Sequence, residues 1–119
     1  MANHINKQEL DHKMLRLGFR ENILGTAMLR EAVQIWEPGM GITKELYPIL
    51  AKKFGSTATR VERAMRHAIT TAWERGDTQT ILSCFGYSVD PFRGAPTVSE
   101  FVARMARVCR EEELDFGED

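Results

Sequence analysis

Seven residues between Val61 and Trp73 constrain the fold more than any other feature of this chain. Val61, Ala64, Met65, Ala68, Ile69, Ala72 and Trp73 recur at intervals of three and four residues, which places them on one side of a helix with 3.6 residues per turn. Such a stripe has to be covered, so the chain needs further elements wide enough to bury it. The opposite face carries Thr59, Arg63, Arg66 and Thr70, with Arg60 and His67 on one shoulder and Glu62 on the other. The spacing therefore predicts a helix from Thr59 to Arg75 that is apolar on one side and cationic on the other. The string Thr59-Arg60-Val61-Glu62 reads as a capping box at its start.

The remaining apolar residues also fall at helical spacing. Leu10, Met14 and Leu17 predict a short helix from Lys7 to Leu17, stopped by Gly18. Asn22 reads as the N-cap of a longer helix through Ile23, Ala27, Leu29, Ala32, Val33 and Trp36, ended by Glu37-Pro38-Gly39-Met40-Gly41. Thr43 reads as the cap of the next, with Leu46, Ile49, Leu50 and Phe54 inward and Gly55 as a left-handed C-terminal residue. Pro48 inside that helix should remove one backbone hydrogen bond and kink it. A short helix from Thr78 to Phe85, a loop from Pro91 to Pro96 and a last helix from Thr97 to about Leu114 complete the chain. That helix opens with a second capping box, Thr97-Val98-Ser99-Glu100. No stretch alternates apolar and polar residues as a half-buried strand requires. The fold class is all-α: a compact bundle of about six helices, residues 1–119 as one domain with its core in about 7–114.

Composition agrees and removes alternatives. With 43% hydrophobic and 28% charged residues, the chain has enough apolar surface for a core, which excludes a disordered or repetitive protein. No apolar run approaches the 18 or so residues of a membrane span, and the polar start lacks the core of a secretory signal. We expect a cytoplasmic protein with no membrane partner. Cys84 and Cys109 lack metal-ligand spacing and read as reduced, partly buried thiols. No metal site and no cofactor are implied, and no nucleophile, acid and base triplet or glycine-rich phosphate loop points to an enzyme.

Charge divides unevenly. Residues 44–66 hold Lys44, Lys52, Lys53, Arg60, Arg63 and Arg66 against Glu45 and Glu62, six cations to two acids and a net +4. Residues 110–119 hold Arg110 against six acids, a net −5. An overall charge of −1 thus hides a basic centre behind an acidic tail, whose last residues, 115–119, we expect to be disordered.

A basic centre built of two helices and a tight turn suggests nucleic acid. Phe54-Gly55-Ser56-Thr57 fits the turn of a helix-turn-helix, with small Ala51 where the helices cross and Val61 and Ala64 packing back on the first helix. The second helix would then enter the major groove of double-stranded DNA. Arginine can bond guanine O6 and N7 together and glutamate can accept from cytosine N4, making Arg63 and Glu62 base readers, with Arg60, Arg66 and Thr59 beside them. His67, Lys44, Lys52, Lys53, Ser56 and Thr57 suit backbone phosphates, which set register rather than sequence.

Longer strings carry a family resemblance. Gly41-Ile42-Thr43-Lys44-Glu45-Leu46-Tyr47-Pro48 and Arg60-Val61-Glu62-Arg63-Ala64-Met65-Arg66-His67-Ala68-Ile69 are similar to the C-terminal effector domain of the sporulation stage-zero-A response regulator. The similarity continues through Ala72 to Gly76, Phe85-Gly86-Tyr87 and Pro96 to Phe101, spanning about residues 15–113. It implies a six-helix fold, binding to a T-G-T-C-G-A-A box, and control of transcription through RNA polymerase and its sigma factor. It implies base reading by Arg60, Glu62 and Arg63 and a backbone contact by His67. Two features depart from the family: the turn from Glu37 to Gly41 is shorter, and 119 residues hold no phosphorylated receiver domain. The stretch reads either as an excised domain or as a free-standing effector, so phosphorylation control is not implied. A homodimer on paired half-sites is a common arrangement for such domains. A rival reading is a helical protein-interaction module, with Thr97 to Leu114 as a docking helix and the Arg60 to His67 face merely solvated.

Overall fold

The computed structural model describes residues 5–85 and 94–110. Six helices make up the described residues: α1 (Lys7–Arg16), α2 (Leu24–Ile35), α3 (Tyr47–Lys53), α4 (Ala58–Arg75), α5 (Thr78–Phe85) and α6 (Val98–Val108). Among these residues no strand forms, only an isolated antiparallel bridge between Ile5 and Arg110. The chain is an all-α bundle.

The stripe on α4 organises it. Val61, Met65, Ala68, Ile69 and Ala72 are buried, while Ala64 and Trp73 are half-buried against the same core. α2 lies closest. A Cβ on Gly25 would collide with the Ala64 backbone oxygen, so only glycine permits this approach. From α6, Phe101, Val102, Met105 and Ala106 enter the same core, fully buried. Phe101 is ringed by Phe19 at 5.2 Å, Phe85 at 5.9 Å and Trp73 at 6.2 Å between centroids. Trp73 meets Phe85 edge-on at 5.2 Å, a geometry that adds to the area buried. Cys84 and Cys109 are free thiols, fully rather than partly buried. Burial first, then Glu9, pushes Cys109 up to about 12, so it stays a neutral thiol.

Four local expectations give way to tertiary structure. Asn22 does not cap α2: the cap position is Ile23, which makes no side-chain bond, because a backbone turn from Arg20 to Ile23 leads the chain in. Thr43 does not cap α3 either. It lies in a single π turn, Ile42–Leu46, and the helix-start bond is made by Glu45, whose Oε1 accepts from the Gly41 N–H at 2.8 Å. Pro48 then falls in the first turn of α3. There a missing N–H costs little, and the wide turn before it takes the place of the expected kink.

α6 stops at Val108, not near Leu114. The Cys109 carbonyl accepts from the Asn6 N–H at 2.8 Å, and Arg110 runs extended beside Ile5, so the N-terminal segment captures the chain where the helix would continue. Its start agrees with the sequence: the Thr97 side chain accepts from the Glu100 N–H and Glu100 accepts from the Thr97 N–H, at 3.1 and 3.0 Å. The expected disorder of the acidic tail, and the first half of the loop expected from Pro91 to Pro96, lie outside the described residues; residues 94–96 are in no helix.

Candidate nucleic-acid interface

The turn before α4 sets the geometry of the cationic face. α3 ends in a Schellman motif: the Ser56 N–H donates to the Ala51 carbonyl at 2.8 Å and the Gly55 N–H to Lys52 at 3.3 Å. Gly55 adopts the left-handed conformation this requires, with φ +61°. The chain then straightens at Thr57, whose Oγ1 accepts from the Arg60 N–H at 3.2 Å. The helix cap is therefore Thr57, not Thr59. Thr59 lies inside the first turn and is exposed, and Glu62 is released from the capping role its spacing suggested.

This start sorts the candidate base readers. Arg60 and Arg63 are exposed in the first two turns of α4 and make no ion pair among the described residues. Arg66 is tied to Glu62, Nη2 to Oε1 at 3.4 Å, one helical turn apart. Glu62 is half-buried near Tyr47; burial first, then this carboxylate, raises the phenol above its ordinary range, against the pull of Arg66.

The candidate phosphate contacts are less uniform. His67 is exposed on the same side of α4, and Ser56 and Thr57 flank the turn. Lys52 and Lys53 both end α3, but Lys53 leans back to α2, with Nζ 3.6 Å from Glu31 Oε1. Lys44 sits in the π turn at the opposite end of α3, about 15 Å from the turn at 1.5 Å per residue. The structure thus sets Ser56 and Thr57 at the start of α4 and Thr59, Arg60, Arg63 and His67 along it as far as its middle, and leaves Lys44 and Lys53 to the side.

One part of this surface was not read from sequence. An open groove of about 500 Å³ runs between α4 and the start of α6, with Tyr47, Glu62, Arg66 and Thr70 on one wall and residues 95–99 on the other. No local pattern announces it, because its two walls are some thirty residues apart in the chain and meet only through the core. The inner face of α6 is spent in that same core, which removes the apolar surface a docking helix would offer.

The described residues form an all-α domain with a cationic face on α4 beside a tight turn. Over residues 10–109 the chain matches the family described as sporulation initiation factor Spo0A C terminal, and it belongs to that family. The family is one of DNA-binding effector domains of sporulation response regulators. Among the described residues, no helix is long and apolar enough to cross a membrane.

Proposed function

We propose that α3 and α4 form a helix-turn-helix that reads double-stranded DNA in a sequence-specific way, with the N-terminal half of α4 in the major groove. The observation that carries this reading is the pair Arg60 and Arg63, exposed at the start of α4 and without an ion pair among the described residues. Two unengaged guanidinium groups one turn apart suit successive guanines, and Glu62 suits a cytosine N4 between them. Thr59 borders them. Arg66 reaches a base only by leaving Glu62. His67, Ser56, Thr57 and Lys52 hold backbone phosphates, with Lys44 and Lys53 farther out. Bound this way, the domain acts in the cytoplasm as a transcription regulator that touches the polymerase sigma factor and pairs with a second copy on adjacent half-sites.

The test is a mobility-shift titration of a labelled duplex carrying the T-G-T-C-G-A-A box against a scrambled duplex. With several phosphate contacts, affinity should fall on the order of a thousandfold between about 50 and 200 mM salt, and the box should win at every salt concentration. Equal affinity for both duplexes, or no salt dependence, overturns the reading.

A further inference from the structure

A second concave surface lies at the other end of the molecule, in the cleft between α1 and α5. It encloses about 250 Å³ and is lined by His12, Lys13 and Arg16 from α1 and by Gln79, Thr80 and Ser83 from α5. Every one of these side chains can donate a hydrogen bond, and none is a carboxylate or an aliphatic group. The groove beside α4 differs on both counts, being lined in part by Glu62, Pro96 and Val98.

Two acids stand at the margins of the cleft, and their grip on its cations is loose. Lys13 Nζ is 3.5 Å from Glu9 and Arg16 Nη2 is 3.8 Å from Asp77. Charge-assisted bonds close to about 2.7–2.9 Å when they are made, as Arg30 shows with Asp11 at 2.8 Å and Glu21 at 2.6 Å. Asp77 is instead engaged by the start of α5: the Thr80 hydroxyl donates to it at 2.8 Å, and that bond above all lowers its pKa below the ordinary carboxylate value. The Arg16–Asp77 pair is exposed, and such a pair contributes little to stability; Lys13 is half-buried, but at 3.5 Å from Glu9 it too is left short of a close charge-assisted bond, so both cations can turn toward a better acceptor. A tetrahedral oxyanion is that acceptor, because it can take an ammonium, a guanidinium and the Gln79 amide or Ser83 hydroxyl of the facing helix at once, the Thr80 hydroxyl being given to Asp77.

We propose that the α1–α5 cleft is a phosphate-binding site, separate from the α4 face and not resting on the reading given to that face. The phosphate can come from a small phosphorylated solute or from a DNA backbone running past this end of the domain.

The experiment follows backbone amide NMR signals of the full chain during titration with inorganic phosphate at constant ionic strength, and separately with duplex DNA. Saturable shifts at residues 12–16 and 79–83 are expected. The double variant K13Q/R16Q, its helix content checked by circular dichroism, should weaken phosphate binding about tenfold or more. If the variant also lowers the salt slope of DNA binding by about one to two, the source is the DNA backbone; an unchanged slope assigns the site to a small phosphorylated solute. The proposal is overturned if neither phosphate nor DNA perturbs these residues saturably, or if chloride does so equally. Should the variant misfold, the mapping on the unaltered chain still decides.

Discussion

The starts of α4 and α6 carry the same string, Thr-x-x-Glu, and fold differently. In α6 both bonds of the capping box form between Thr97 and Glu100. In α4 the helix begins one residue before Thr59, and the cap passes to Thr57. The difference is in what precedes the string. Residues 94–96, which lead into Thr97, belong to no helix, whereas the residues before Thr59 are already committed to closing α3 through Gly55 and Ser56. Only Thr57 is then extended, with φ −120° and ψ 158°. A capping motif is thus an offer that the preceding turn accepts or declines, and at α4 the refusal has a consequence for the site. Thr59 is left exposed and Glu62 pairs with Arg66 instead of being consumed in holding the helix start.

The largest test of this contrast sets the inner face of α6 against the outer face of α4. Phe101→Ala should cost about 3–5 kcal/mol in urea unfolding, since the ring is fully buried among three aromatic partners. Arg63→Ala should leave that unfolding curve in place and cost about 1–3 kcal/mol in binding to the box, with preference relaxed at one base pair. Lys52→Ala, by contrast, should weaken binding to boxed and scrambled duplexes alike. If Arg63→Ala and Lys52→Ala give the same profile, the division between base and phosphate contacts fails.

The caps provide a finer measurement. Thr57→Ala and Thr97→Ala should each lower stability by about 1 kcal/mol, the usual worth of a threonine cap. Thr59→Ala should stay within about 0.5 kcal/mol, as an exposed residue inside a first turn does. A Thr59 loss as large as that of Thr57 would return the cap to the position its spacing suggests.

Much of the interface was legible because its residues share one helix. Arg60, Arg63, His67 and the stripe beneath them are related by helical periodicity alone, and the tertiary structure can only bury or expose that pattern. The exposure of all three agrees with the wheel. The pairing of Lys53 with Glu31, the retreat of Lys44 and the groove against residues 95–99 were not legible, since each depends on which helix lies beside which. Pro48 shows the same limit at the level of backbone. Its ring announces a disturbance, but whether the chain kinks or opens a π turn depends on where α3 must point to reach α4.

The sequence by itself determined the helical class, the apolar stripe that had to be buried and the cationic face that followed from it, because periodicity is a local property of the chain. It also determined the α6 cap and the left-handed turn at Gly55. Only the tertiary structure decided where α4 starts, where α6 stops and which charged groups stay unpaired. Those outcomes depend on groups competing for partners that are not their sequence neighbours: the Cys109 carbonyl taken by the Asn6 N–H, the Glu31 carboxylate by Lys53. A helix boundary lies where such a competition is won, and the string of residues around it records only one of the contestants.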